Sequence, residues 1–494
     1  QQQRQQQQQQ QTYSDDEYDF DSDEADMLAM RTAGSKTNKE QRRAASRGSG
    51  EIEELVMTES DSDVSDQVEQ LNLGIGADGA GWKTDYAKGD MTKGITKYSS
   101  FSSSSPLSPS SSSHVKGKKV YVNKDIKLPH ATGTPVSTDT ASQLRSLVFG
   151  QASGVFTAEW REQGLFFRDE DDCPVPQLGF GMIQHKGGPC GVLAVVQAFA
   201  IKALLFGEHG EEFKSQSTGS EKQLCPTQEQ KDAALTDAIT TILWQAGSEQ
   251  CAKVCLVNPA AKTKAGQLLG RGYKADGISE RVLVNSCASR EALKQLVHLH
   301  LPAFMQPKGP GTVMLMYSAL LSRGLANVRS DVDQGTSIQM IARHGYCTQD
   351  IVNLLLFGKA KSNVHDGVKD LGGGMRLEGV EKRSNIGFLS LFEHYNNLLV
   401  GQNLKSPVFP VWVVCSESHY SVLFSLHKSD FNAKGRLDLY YYDQLGHQTE
   451  QYKLTVEEGK PYHDAGEVEP PINHCIRTKW QRAAIDWNGS EPLI

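Results

Sequence analysis

The chain has 494 residues, and length alone predicts roughly two to four domains. Its 51 Lys and Arg against 59 Asp and Glu, a formal charge of −8, argue against a nucleic-acid partner bound through a broad basic face. Nine scattered cysteines without a CxxC pair predict free thiols in an intracellular compartment, cytoplasmic or nuclear, and no structural zinc site. No signal peptide is evident and no apolar run reaches roughly 18 residues, so we expect no membrane partner.

Residues 1–140 have the composition of a disordered tail. Gln1–Gln11 is nearly all glutamine, Asp15–Asp26 is acidic, and Ser99–Ser113 is rich in serine. Segments this poor in apolar side chains bury too little surface to offset the entropy lost on ordering. We therefore predict a disordered low-complexity tail over residues 1–140 and a folded domain over residues 141–494.

The first part of the predicted domain has the apolar patterns of helices. Regularly spaced apolar residues begin in Ser142–Phe149. Cys190–Phe206 is apolar nearly all round and too long for a strand, which predicts a buried helix. Asp232–Ala246 predicts another helix, and the polar segments Glu208–Gln230 and Pro259–Gly277 predict surface loops.

The later part of the chain has the patterns of strands. After the apolar stretches Val313–Leu321 and Ile351–Phe357, three segments with strand composition follow, at Phe409–Val414, His419–Phe424 and Leu437–Tyr442. Helices early in the domain and antiparallel strands late in it predict an α+β fold.

The loop that precedes the buried helix carries the strongest chemical signal. Gly187, Gly188 and Pro189 predict a turn, so Cys190 falls in the first turn of the helix. Free N–H groups and the helix dipole at such a position favour a nucleophilic thiolate and bind an oxyanion. Gln184, six residues upstream, is a candidate second oxyanion donor, at a spacing that resembles that of papain-like proteases. The alternative is a structural cysteine that packs the start of the helix.

Among the fourteen histidines, His419 is the best candidate for the base that a thiol nucleophile needs. It follows a polar turn and opens a strand, a position from which it can face a helix N-terminus. If the last two predicted strands form a hairpin, His419 pairs near Asp443, with a register uncertain by two residues. Asp443 and Gln444 are both candidates for orienting the imidazole, and Asp443 is preferred because a carboxylate stabilises an imidazolium. The alternatives are an ordinary strand histidine and an aspartate that starts a turn.

Other histidines have weaker patterns. His298 and His300 would share one face of a strand, but no third ligand is evident, so we expect no metal site. His185 stands beside Gln184 in a loop that gives it no reason to point at Cys190.

Long segments around these residues resemble the MINDY family of deubiquitinases. The matching segments are Gly179–Ala194, Phe409–Ser425, Asp438–Leu445 and Ile476–Ile494, with further similarity in MLMYSALLSRG, ARHGYCTQDIVNLLLFGKA and SNIGFLSLFEHYN. The resemblance covers roughly residue 142 to the C-terminus and is greatest to the longer family members with an extended N-terminal region.

The resemblance implies a papain-like cysteine protease fold with insertions and a thiol-dependent ubiquitinyl hydrolase that acts on isopeptide bonds. It also implies a preference for lysine-48-linked polyubiquitin, so ubiquitin chains and ubiquitinated proteins are the expected partners. Cys190 is the implied nucleophile, His419 the base and Gln184 the oxyanion donor, with no metal or organic cofactor. Gly187 and Gly188 would let ubiquitin's tail approach closely, since they carry no side chains. The alternatives are a weakly active or inactive ubiquitin-chain-binding scaffold and another Cys-His-Asp acyl transferase.

Overall fold

The computed structural model describes residues 129–168, 176–208, 210, 224–333, 338–429, 435–445, 448–459 and 469–491. Most of the predicted disordered tail therefore lies outside the described residues. The residues from 129 onward already include a short strand at Thr134–Pro135, and a helix begins at Thr138. Regular structure thus starts before the predicted boundary between residues 140 and 141.

The helices of four or more residues in the described part of the chain are α1 Thr138–Phe149, α2 Ala158–Arg161, α3 Cys190–Phe206, α4 Gln228–Ala246, α5 Arg290–Met305, α6 Gly311–Arg323, α7 Leu325–Asp331, α8 Gln349–Phe357, α9 Leu391–His394, α10 Gln402–Lys405 and α11 Pro471–Arg477. The strands in the same part are β1 Thr134–Pro135, β2 Ala252–Val257, β3 Val282–Cys287, β4 Val368–Gly372, β5 Met375–Glu378, β6 Gly387–Ser390, β7 Val411–Ser416, β8 His419–Phe424, β9 Arg436–Tyr442, β10 Tyr452–Glu457 and β11 Ala484–Asp486. None of these helices combines the length and the apolarity that a membrane crossing requires.

Among the described residues, the largest sheet has six strands in the order β11-β10-β9-β8-β7-β6. Its neighbouring strands are antiparallel except for β6 and β7, which are parallel. A second sheet, in the order β1-β3-β2, uses strands from the early part of the domain. The predicted late antiparallel strands are confirmed, and the early part contains, besides its helices, three strands that the sequence analysis did not predict. A short apolar run such as that of β2 cannot be told from a helical segment by its periodicity.

The helix α3 lies in the main hydrophobic core, as its nearly all-apolar sequence predicts. Fourteen of its 17 residues are buried, and it packs against α4, β7 and β8. Alternate residues of β7 face two different apolar layers, because side chains of a strand alternate between its faces. Val411 and Val413 join the core around α3, while Trp412 and Val414 join a smaller cluster that includes Ile476 of α11. The sheet therefore supports α3 on one side and is itself covered on the other.

The helix α4 begins one turn before its predicted start. Thr227 accepts a hydrogen bond from the backbone N–H of Gln230, and the Gln230 side chain accepts one from the Thr227 N–H. This reciprocal cap supplies partners for two N–H groups that helix geometry leaves unpaired. The predicted surface loop ends accordingly at Thr227, and much of that loop lies outside the described residues.

The helix α5 corrects the prediction for His298 and His300. Residues two apart on a helix lie about 200° apart around its axis, so they cannot share a face as they would on a strand. His300 is buried and His298 is exposed. In the described ranges, no group of three His, Cys, Asp or Glu side chains is arranged to hold a metal ion.

Candidate active site

The segment that leads into α3 is held by polar groups of the helix and the sheet. Gln197 of α3 accepts a hydrogen bond from the Met182 N–H at 2.5 Å and donates one to the Phe180 carbonyl at 3.0 Å. The hydroxyl of Tyr442, at the end of β9, donates to the Met182 carbonyl at 2.8 Å. Hydrogen bonds from α3 and from the end of β9 therefore both hold the backbone of residues 180–182, just before the loop that leads to Cys190.

The thiol of Cys190 stands at the start of α3, as the sequence predicts. The first helical hydrogen bond runs from the Leu193 N–H to the Pro189 carbonyl at 3.0 Å. The N–H groups of Cys190, Gly191 and Val192 therefore have no acceptor within the helix. Unpaired N–H groups and the positive end of the helix dipole stabilise negative charge, whether on a thiolate or on an oxyanion.

The two glycines before Cys190 have different functions in the structure. Gly188 has a φ of 120°, which side-chain-bearing residues rarely adopt, and a Cβ there would lie 3.3 Å from Trp160 Nε1. Trp160 Nε1 donates to the Gly345 carbonyl at 2.7 Å, so this side of Gly188 is packed. A Cβ on Gly187 would meet nothing within 4 Å. A side chain would therefore meet packed atoms at Gly188 and open space at Gly187. Close approach of a substrate tail to both glycines stays a prediction.

The structure brings His419 and Asp443 together. His419 is the first residue of β8, and its Nε2 lies 2.8 Å from Asp443 Oδ1. The pairing of Val422 with Tyr442, extended by one residue, sets Ser421 opposite Asp443. His419 is two residues from Ser421 and so lies on the same face of the sheet as Asp443. The register therefore selects Asp443 over Gln444 as the partner of the imidazole.

The surroundings of His419 favour its charged, imidazolium form. Burial favours the neutral ring, but hydrogen bonds and electrostatic interactions with Asp443 and Cys190 raise the pKa of His419 to about 10. The Cys190 Sγ also lies 3.9 Å from the Ser418 carbonyl oxygen, in the turn that precedes His419. The thiol, the imidazole and the carboxylate thus form a row in which His419 interacts with both Cys190 and Asp443.

Gln184 is buried and tied to the end of the sheet. Its backbone N–H donates to the Gln444 carbonyl at 3.0 Å. Its side-chain Nε2 donates to the Lys186 carbonyl at 2.6 Å, and its Oε1 is buried without a partner. An amide NH₂ has two hydrogens, so one hydrogen remains for another acceptor.

The ring of His185 packs against Phe166 with 5.4 Å between the ring centroids. Its backbone N–H donates to Gln163 Oε1 at 3.0 Å, so the backbone of His185 is held by a buried glutamine.

Cys347 is a neighbour of the site that the sequence did not predict. Its Sγ donates to the Gly188 carbonyl at 3.6 Å, and a Cβ on Gly191 would lie 2.9 Å from the Cys347 Cβ. No local pattern connects Cys347 with Cys190, because they are far apart in the chain. Gln197 is also missed, although a single polar residue in the apolar run Cys190–Ile201 is a usable signal, since buried polar groups need partners.

Cysteine hydrolases cleave acyl bonds with such a row of thiol, imidazole and carboxylate. Residues 145–489 match a family model described as "Deubiquitinating enzyme MINDY-3/4, conserved domain". The chain belongs to this family of deubiquitinating enzymes, as the resemblance predicted.

Three relatives illustrate the extent of the similarity. "Probable ubiquitin carboxyl-terminal hydrolase MINDY-4" of Mus musculus is 43% identical over 370 residues, which cover 73% of this chain and 47% of that protein. The Homo sapiens protein of the same description is 40% identical over 379 residues, 75% of this chain and 48% of that protein. "Ubiquitin carboxyl-terminal hydrolase MINDY-3" of Bos taurus is 28% identical over 319 residues, 58% of this chain and 66% of that protein.

The chain thus spans about half the length of the MINDY-4 relatives that it matches. No solved structure matches it significantly. The mixed helix and sheet fold is confirmed, and the papain-like arrangement stays a prediction.

Proposed function

We propose that this chain is a cysteine-dependent deubiquitinase, a thiol-dependent ubiquitinyl hydrolase that cleaves isopeptide bonds in polyubiquitin. The observation that supports it most strongly is the hydrogen bond between His419 Nε2 and Asp443 Oδ1 at 2.8 Å. Interactions with Asp443 and Cys190 raise the pKa of this imidazole to about 10. An imidazolium held against a thiol at a helix N-terminus favours the thiolate, the nucleophilic form. Membership of a family of deubiquitinating enzymes supports ubiquitin as the substrate.

In the proposed reaction, the Cys190 thiolate attacks the carbonyl carbon of ubiquitin's C-terminal glycine. The N–H of Cys190 and the free amide hydrogen of Gln184 donate to the oxyanion that forms. His419 gives its proton to the leaving lysine amine as the tetrahedral intermediate collapses to a thioester. His419 then removes a proton from water, which attacks the thioester and releases ubiquitin. Asp443 orients the ring and stabilises its positive charge throughout.

Within this function we propose a preference for lysine-48-linked chains. This preference is supported by the resemblance of the segments around Cys190 and His419 to the family. The open side of Gly187 supports passage of an extended glycine-ended tail past the thiol, because a Cβ there would meet no other atom within 4 Å.

Two assays with the purified 494-residue protein test these proposals separately. A ubiquitin probe with an electrophile at its C-terminus should label wild type at Cys190 and leave Cys190→Ala unlabelled. Tetraubiquitin of lysine-48 linkage should be cleaved by wild type, with lysine-63-linked tetraubiquitin left intact and Cys190→Ala inactive on both. Cleavage of both linkages would remove the linkage preference alone. Binding of chains without labelling or cleavage by folded wild type would instead support the scaffold alternative.

A further inference from the structure

Two thiols from distant parts of the chain meet at one carbonyl group. The Gly188 carbonyl oxygen lies 4.0 Å from Cys190 Sγ and 3.6 Å from Cys347 Sγ. The two sulfurs therefore cannot be farther apart than these two distances combined. Both cysteines are free thiols, and both are buried, with 2% and 8% of their surface exposed.

The position of Cys347 is determined by a tight turn and by the start of α3. The turn closes with a hydrogen bond from the Ala342 N–H to the Tyr346 carbonyl at 2.8 Å, and Cys347 follows directly. A Cβ built on Gly191 would lie 3.1 Å from Cys347 Sγ. Glycine at position 191 thus allows the second sulfur to approach the first turn of the helix that carries Cys190.

The surroundings of Cys347 favour its protonated form. Burial raises the pKa of Cys347 far above its ordinary value, and the neighbouring Cys190 raises it further. The N–H groups of Val192 and Gly191 act in the opposite direction, because they stabilise a negative sulfur. Neutralisation of Cys190 removes one of the two effects that suppress the Cys347 thiolate. Conversion of Cys190 to an uncharged oxidised form is a change of this kind.

We propose that Cys347 is the resolving thiol for oxidised Cys190. The Cys190 thiolate attacks one oxygen of hydrogen peroxide, which leaves a sulfenic acid on Cys190 and releases hydroxide. The Cys347 sulfur then attacks the Cys190 sulfur, the S–O bond breaks, and the departing hydroxyl leaves as water with the Cys347 proton. The product is a Cys190–Cys347 disulfide, and peroxide is the two-electron oxidant.

The disulfide would make inactivation by peroxide reversible. A sulfenic acid with no thiol beside it is oxidised further to sulfinic acid, which thiols do not reduce, whereas a disulfide is restored by a dithiol. The inference rests on the proposed function, because it takes Cys190 as the reactive thiolate.

Cys415 offers a matched control. It is also buried, and its Sγ donates to the Glu417 carbonyl at 3.5 Å, in the turn before His419. It is therefore another thiol near the active site, but its hydrogen bond is to a carbonyl group other than that of Gly188.

The test uses the 494-residue wild type and three variants of it, Cys347→Ser, Cys347→Ala and Cys415→Ser. Each protein is exposed at low concentration to hydrogen peroxide and is then treated with dithiothreitol. Non-reducing peptide mapping and intact mass identify the state of Cys190, and cleavage activity is compared with that of the same untreated protein. Wild type and Cys415→Ser should form the Cys190–Cys347 disulfide and recover their activity. Both Cys347 variants should gain two oxygens on Cys190 and recover none.

Sulfinic acid formation in wild type to the same extent as in the Cys347 variants would overturn the resolving role, and so would a disulfide to Cys415. In either case labelling by the ubiquitin probe stays intact, and the proposed function stands. A Cys190 that reacts with neither peroxide nor the probe would overturn both proposals. Mapping of the wild-type disulfide needs no variant, so the test holds even if a Cys347 substitution destabilises the fold.

Discussion

Asp443→Asn removes the negative charge beside His419 while it keeps the shape of the side chain. Asp443 Oδ1 accepts hydrogen bonds from His419 Nε2 and from the Leu445 N–H, both at 2.8 Å. The amide oxygen of asparagine accepts the same two bonds. The substitution therefore isolates the charge of the carboxylate from its role as an acceptor.

The size of the expected effect follows from the contact. An opposite charge at this distance raises the pKa of a histidine by about 1 to 3, so we expect the pKa of His419 to fall from about 10 to between about 7 and 9. Each unit corresponds to about 1.4 kcal/mol, so the imidazolium loses about 1.4 to 4 kcal/mol of stabilisation. At a pH above about 10, the fraction of enzyme in which His419 is protonated falls accordingly, by about ten- to thousandfold.

The direction of the pH dependence is fixed by the raised pKa. The folded state holds the His419 proton more tightly than the unfolded state, so this contribution to stability is full below the unfolded value of about 6.5. It is lost as the pH rises through about 10 in wild type. In Asp443→Asn the loss should come at lower pH. The stability difference between the two proteins should be full below the His419 pKa of the variant and should disappear as the pH rises through about 10.

Histidine NMR titration measures this pKa directly, with the His419 resonance assigned by its absence in His419→Gln. The pH dependence of kcat/KM supplies a second reading, in which the alkaline limb should move to lower pH in Asp443→Asn. An unchanged His419 titration in the variant would refute the reasoning that the carboxylate charge holds the proton.

Three other substitutions and one deletion have expected outcomes. Cys190→Ala should abolish cleavage, and residual turnover would exclude this thiol as the nucleophile. Gln184→Ala should lower kcat about a hundredfold, the cost of one oxyanion donor, and a full rate would remove Gln184 from the mechanism. Gln197→Leu leaves two buried backbone groups without partners, so denaturant unfolding should show a loss of about 2 to 4 kcal/mol, and an unchanged midpoint would contradict this. Deletion of residues 1–128 should leave cleavage intact, whereas deletion to residue 140 removes β1 and the start of α1 and should lower stability.

Local sequence determined the parts of the site that depend on short-range chemistry. The apolar run of α3 and the glycine-rich turn before it predict a thiol at a buried helix start, because both signals lie within neighbouring residues. The strand His419–Phe424 was predicted with the bounds that the structure has. The capping pattern of Thr227 and Gln230 is an equally local signal, and it marks the start of α4 that the sequence analysis did not predict.

Only the tertiary structure decided which distant residues meet. The choice between Asp443 and Gln444 depends on strand register, which the hairpin's sequence left uncertain by two residues. Cys347 reaches Gly188 because α3 and the turn before α8 pack together. Contacts of this kind are set by the burial of whole elements, since no pattern within one segment records which other segment will cover it.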